Sequence, residues 1–263
     1  MKTIGSTIIM LALASSLFAD NGKELKLASP DGTHEIVFYQ KQVSPAVNEL
    51  CYRVDYKSQP VVNESRAGLE LDNRIWEMAL GVRNLKQPAC WMDNLEVDSV
   101  TYQPETNLTW QPLYGERSSV RDHYRAGTLC LSKKDNSGYR LNIEVRAYNE
   151  GVAFRYFFPE HPKAIFHKVV GDLTEYALPA GTKAWTEQWA QAFFERLNID
   201  DIKHPVERAL TFELPNGKWA ALADADVDDW CLTKYLVSTD KKNTLTSVMY
   251  SPVDVVTYYA TPW

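Results

Sequence analysis

Between Leu141 and Phe158 the side chains alternate so regularly that few backbone conformations suit them. Leu141, Ile143, Val145 and Ala147 fall on one side, and Asn142, Glu144 and Arg146 on the other. A period of two is what a half-buried strand requires, whereas a helix would scatter these residues around its axis. Asn149, Glu150 and Gly151 follow, residue types that tolerate positive φ in a short turn. The chain then returns with Val152, Phe154, Tyr156 and Phe158 on one face and Ala153, Arg155 and Phe157 on the other, until Pro159 stops it. Bulk on both faces predicts a return strand covered on both sides. Arg155 in such a strand is either paired or lines a groove.

The same grammar recurs along the chain. Leu25–Ala28 leads into a Pro30, Asp31, Gly32 turn, and His34–Tyr39 returns from it. Cys51–Tyr56 and Gln59–Val62 flank Lys57 and Ser58 as a second hairpin. Thr128–Leu131 and Tyr139–Arg146 flank another turn, and Arg208–Leu214 and Lys218–Asp224 flank Pro215, Asn216 and Gly217. Ser247–Tyr250 and Val255–Ala260 read as closing strands, and only Trp185–Leu197 reads as a short helix or an ordered loop. Evenly spaced turns with few helical stretches predict an all-β chain, a large antiparallel β-sandwich. No linker, repeat or low-complexity tract divides it. A chain of 263 residues has the length to bury one large core.

The N-terminus reads as an export signal over residues 1–19. Lys2 supplies the positive charge, Ile8–Ala14 the apolar centre, and Ala19 the cleavage point before Asp20. The apolar run is too short to anchor in a bilayer, so the mature chain, residues 20–263, is expected to be exported to the periplasm. Cys51, Cys90, Cys130 and Cys231 permit two disulfides, and buried free thiols serve the pattern equally well. A net charge of −6 supplies no basic stripe for a nucleic-acid partner.

The aromatic load of 8 Trp, 14 Tyr and 9 Phe has two readings: packing between sheets, or stacking on sugar rings. Two segments concentrate it beside polar groups. Trp110, Tyr114, Glu116, Arg117, Arg121, Asp122, His123 and Tyr124 form one, suited to a sugar or simply to a loop rimmed by ion pairs. Trp185, Trp189, Phe193 and Phe194 surround Glu195 in the other. A carboxylate among aromatics suits a hard cation, although it could equally pair with Arg196, and one carboxylate alone cannot complete a calcium site. Asp224, Asp226 and Asp228 alternate as on a strand, and their run lacks the glycine and terminal glutamate of an EF-hand loop. Nucleophile elbows and phosphate loops are absent.

An ordered set of short motifs resembles the N-terminal domain of glycoside hydrolase family 97. It comprises Leu27–Gly32, Ala67–Leu71, Tyr114–Glu116 with Val120 and Tyr124, Arg146–Tyr156, Leu178 and Pro179, Ala184 and Trp185, Phe194 and Glu195, Pro205, Thr211–Glu213 and Ala260–Trp263. The chain departs from the family at Arg125 and Ala126, after the Tyr124 motif, and at Asp224, where the family usually has Glu. The resemblance implies a galactose-mutarotase-like super-sandwich placed before a catalytic (β/α)8 barrel in an exported, calcium-dependent α-glucosidase or α-galactosidase. It further implies that Glu195 is the sandwich's ligand to the calcium, with the other ligands and both catalytic carboxylates on the barrel. Tyr114, Glu116 and Trp185 are then the candidate sugar contacts. Since the family continues beyond the point matching Trp263, through further strands and the barrel, the chain is expected to be inactive by itself, with the barrel supplied in cis or by a neighbouring frame. The alternative is a stand-alone periplasmic carbohydrate-binding protein.

Overall fold

The computed structural model describes residues 23–73, 78, 90–134, 137–163, 167–225, 227 and 230–249. The signal segment, Asp226, Asp228 and the strand expected over Val255–Ala260 lie outside them. Among the described residues the chain is built almost wholly of antiparallel strands, as the alternation predicts. The first sheet runs β1 (Leu25–Ala28), β2 (His34–Ser44), β3 (Val47–Tyr56) and β4 (Gln59–Arg66) in sequence order. The second has the order β10 (Gly151–Phe157), β9 (Arg140–Tyr148), β8 (Val120–Ser132) and β6 (Glu96–Tyr102), with β7 (Thr106–Trp110) also paired to β8. Three smaller sheets follow: β11 (Val169–Asp172) with β5 (Leu69–Leu71); β12 (Glu175–Ala177), β18 (Thr244–Met249) and β17 (Thr233–Val237); and β14 (Glu195–Asn198), β13 (Lys183–Thr186), β15 (Leu210–Glu213) and β16 (Trp219–Leu222).

Turn chemistry accounts for the hairpins. Lys57 and Ser58 both take positive φ (50° and 59°), the twist that suits a two-residue connection between right-twisted strands. Gly32 at φ +74° and Gly217 at φ +77° occupy turn positions that a Cβ would strain. The Asn149–Gly151 turn differs from expectation, because none of its residues takes positive φ. Instead Asn149 Oδ1 accepts the Asp31 N–H at 3.0 Å, and this bond pins the β9–β10 hairpin to the Pro30–Gly32 turn of the first sheet.

One contiguous core draws on all five sheets. Leu25, Leu27, Ile36, Phe38, Leu50 and Tyr52 face Leu129, Leu131, Leu141, Ile143 and Val145 across the two large sheets. Phe38 marks the crossing. Its ring stacks on Tyr52 at 5.3 Å and meets Phe154 of β10 edge-on at 5.2 Å. The return strand is not covered on both sides, however. β10 is a sheet edge, and the first sheet packs against one of its faces: Val152, Phe154 and Tyr156 turn inward, while Ala153, Arg155 and Phe157 face solvent. Arg155 is paired across the strands, its Nε donating to Glu144 Oε2 at 2.7 Å. Charge on the outer face of an edge strand discourages pairing with a second chain. Cys51, Cys90 and Cys130 are free thiols, the first two buried, and so behave as small core residues here.

Aromatic packing also sets one pH response. His167 stacks on Phe158 at 4.3 Å, meets Trp91 edge-on and Tyr139 at a tilt, and burial there lowers its pKa from 6.5 to about 4, with His161 adding to the shift. The folded state therefore holds a neutral imidazole that the unfolded chain would protonate. Stability is full above pH 6.5 and falls as the pH drops from there towards 4. Urea midpoints measured across that window should decline more steeply for the wild type than for His167→Phe. Parallel declines would show that other groups carry the effect.

Candidate functional site

The segment from Trp185 to Leu197 is an ordered loop carried on a hairpin, with no helix. Lys183–Thr186 pairs with Glu195–Asn198 in continuous register, Trp185 opposite Arg196 and Thr186 opposite Glu195. Strand alternation decides what each face carries. Ala184, Thr186 and Leu197 turn inward onto Leu210 and Phe212 of β15, whereas Trp185 and Arg196 turn outward. Glu195 shares the inward parity of Thr186 but stands at the open end of the strand, where the sheet stops covering it and the side chain is exposed. Thr186 Oγ1 donates to the Glu195 carbonyl at 3.2 Å and holds the strand start in place.

The loop's roots are braced. Lys234 is buried, donates from Nζ to the Gln188 carbonyl at 2.9 Å and pairs with Glu207 Oε1 at 2.6 Å. The Glu207 N–H donates to the Glu187 carbonyl at 2.9 Å, which closes the brace. Above these roots the tip presents apolar rings to solvent, with Phe193 93%, Phe194 65% and Trp189 54% exposed. Three large rings in one short loop are more than a soluble surface usually leaves bare.

Glu195 does not pair with Arg196. That guanidinium instead donates to Glu213 on β15, Nε to Oε2 at 2.8 Å, because both residues lie on the outward face. Among the described residues the Glu195 carboxylate makes no hydrogen bond or ion pair. An exposed, unpaired carboxylate on a braced hairpin fits a hard cation as one or two of the six to eight oxygen ligands that calcium takes. Among the described residues no group of three or more His, Cys, Asp or Glu side chains assembles a metal site. Any ion at Glu195 therefore needs oxygen donors in addition to those described.

The other sequence candidates fall elsewhere. Trp185 is 39% exposed on the sheet face opposite Glu195, beside the Arg196–Glu213 pair, with Trp219 on the same outward face. Tyr114 and Glu116 sit in the loop between β7 and β8, on a different sheet, and Tyr114 is 90% exposed. No hydrogen bond, ion pair or ring contact joins that loop to the β13–β14 hairpin among the described residues. Asp224 lies just past β16, which ends at Leu222, so it is not a strand residue. Its carboxylate lies 3.5 Å from Arg208 Nε, and burial raises its pKa while the guanidinium partly opposes that rise. The Lys234–Glu207 brace carries no motif in the sequence, because its partners lie far apart in the chain and meet only in the fold.

A family model described as Glycosyl-hydrolase 97 N-terminal matches residues 27–263. A retaining alpha-galactosidase of Bacteroides thetaiotaomicron is 23% identical over 263 residues, an alignment that takes in 94% of this chain and 35% of that protein. Among solved structures, a glycoside hydrolase family 97 enzyme from Pseudoalteromonas sp. strain K8, solved with panose and also with acarbose, superposes with a TM-score of 0.72 at 22% identity. That match covers 86% of this chain and 32% of the enzyme. A beta-arabinopyranosidase matches with a TM-score of 0.70 at 16% identity, over 86% of this chain and 35% of its own. The chain thus spans about a third of the length of each relative. These likenesses carry the sandwich fold.

Proposed function

Since this chain belongs to the glycosyl-hydrolase 97 N-terminal family, we propose that it serves as the sandwich half of a shared α-glycosidase active site. The other half is a catalytic (β/α)8 barrel that supplies the carboxylates cleaving the glycosidic bond and the remaining calcium ligands. The observation that carries this reading is Glu195: a carboxylate unpaired among the described residues, at the rim of a braced hairpin whose loop exposes three large rings. Calcium bound there would supply positive charge that orients sugar oxygens and catalytic carboxylates. The Lys234–Glu207 brace keeps Glu195 from swinging with its loop, so its oxygens meet the ion in a preset position. Phe193, Phe194 and Trp189 would bury against the barrel and exclude water around the ion. Tyr114 and Glu116 offer sugar contacts from the β7–β8 loop. Trp185, on the sheet face opposite Glu195, would stack on sugar away from the ion.

The relatives that match, a retaining alpha-galactosidase and a family 97 enzyme solved with panose and acarbose, support an α-glucoside or α-galactoside as substrate. Export to the periplasm follows from the charged start and apolar run of residues 1–19. The test mixes the chain, alone and then together with the barrel polypeptide, with aryl α-glucoside and α-galactoside. No turnover by the chain alone, and calcium-dependent turnover by the pair, is the expected result. Turnover by the chain alone would place the chemistry in the sandwich and overturn the division of labour.

A further inference from the structure

The second sheet contains a groove that the shared-site reading leaves unused. β8 changes partner along its length: Val120–Tyr124 pairs with β7, and Gly127–Ser132 pairs with β6. Between the two pairings the chain leaves the sheet at Gln103, Pro104 and Glu105, and a groove of about 720 Å³ opens over Ala126. Its size falls in the range of small-molecule sites, about 300–1,000 Å³. Strand register places Tyr124, Ala126 and Thr128 of β8 beside Glu144, Arg146 and Tyr148 of β9 on one outward face. The small Ala126 side chain forms the floor, and the larger neighbours form the walls.

These walls are held by their own contacts. The Arg146 guanidinium lies over the Tyr124 ring, 4.7 Å from its centroid, and Tyr124 packs on Tyr148 at 5.0 Å. Gln103 is fixed at both ends, its N–H donating to the Ala126 carbonyl and its Nε2 to Thr128 Oγ1, each at 3.0 Å. Both carboxylates are already paired with arginines, Glu144 with Arg155 at 2.7 Å and Glu105 with Arg125 at 3.0 Å, and Glu105 also shares a hydrogen bond with His123 Nε2 at 2.7 Å. Leu108, exposed at the rim, adds an apolar edge. The groove thus offers fixed donors and acceptors, a phenol ring and an aliphatic edge, with its acids paired. With Arg155 and Arg125 committed to these acids, and a chain of net charge −6, a phosphorylated ligand is disfavoured. An even mixture of polar and apolar lining disfavours a lipid.

We infer that this groove is an accessory binding site for a neutral oligosaccharide of two or three sugar rings, separate from the calcium site at Glu195. Sugar hydroxyls would bridge Gln103, Glu144 and Arg146, while a pyranose C–H face rests on Leu108 and Tyr124. The site rests on the carbohydrate reading of the chain but on neither calcium nor the barrel, so the two can fail separately.

Titration calorimetry and ligand-observed NMR on the full chain in EDTA, with maltotriose and raffinose as probes, test it. At least one probe should bind, and Arg146→Ala and Ala126→Leu should each weaken that binding at least about tenfold, while Glu195→Gln leaves it unchanged. Ala126→Leu fills the floor without removing a polar contact, so it stands if Arg146→Ala disturbs the sheet, and thermal melts confirm that each variant folds. Absence of binding by both probes, binding that both groove variants leave intact, or tighter binding of glucose 1-phosphate than of either probe would overturn the proposal. Loss of binding in Glu195→Gln would assign the sugar to the shared site instead.

Discussion

On the proposed calcium role, Glu195→Gln in the chain paired with its barrel is expected to raise the calcium dissociation constant by at least about 10–100-fold, the range seen when even an outer-shell partner of a metal is lost. Glutamine keeps the shape and one carbonyl oxygen but removes the negative charge that a hard cation seeks. Activity at limiting calcium should fall in step and recover as calcium is raised. Thermal stability of the calcium-free protein should move by no more than about 0.5 kcal/mol, because the side chain is exposed and makes no hydrogen bond or ion pair among the described residues. A variant with unchanged calcium affinity but a lowered melting temperature would make Glu195 a structural residue.

Phe38→Ala should destabilise the fold far more than Glu195→Gln. The ring is fully buried where the two large sheets meet, between Tyr52 on its own sheet and Phe154 on the other. Truncation removes the transfer free energy of the ring and leaves a cavity that strands tied on both sides cannot collapse to fill. The cost is about 3–5 kcal/mol, which for a chain of this size corresponds to a melting temperature lower by roughly 10 °C. Phe157→Ala is the control. Its ring is on the outer face of edge strand β10, so the loss should stay within about 0.5 kcal/mol. Equal losses would mean that β10 is covered on both faces after all.

That contrast between Phe38 and Phe157 shows how far local pattern reaches. Alternation states which residues of a strand share a face, since backbone geometry dictates it. It does not state whether a face is covered, and the bulk of Phe157 and Phe154 looks equivalent in the sequence. What packs on each face separates them: Phe38 of the first sheet lies against Phe154 while Phe157 faces solvent, and that contact is made by chain far from β10. Turn residues behave the same way. Lys57 and Ser58 form the expected hairpin through their own φ angles, while the Asn149 turn draws on Asp31, 118 residues away.

The candidate site divides along the same line. Glu195 stands out in the sequence because aromatic neighbours and an ordered family motif surround it. Its freedom from Arg196 is a tertiary fact: adjacent strand residues point to opposite faces, and Glu213 on β15 takes the guanidinium. The brace through Lys234 and Glu207 and the groove over Ala126 carry no local motif, because each is assembled from separate segments. By itself the sequence determined the strand-and-turn grammar, the all-β class and the family, since these depend on short-range periodicity and on the order of motifs. Only the tertiary structure decided which carboxylate stays unpaired, which aromatics stay exposed and where a groove opens. Those follow from strand pairing, and pairing brings together residues that the chain keeps far apart.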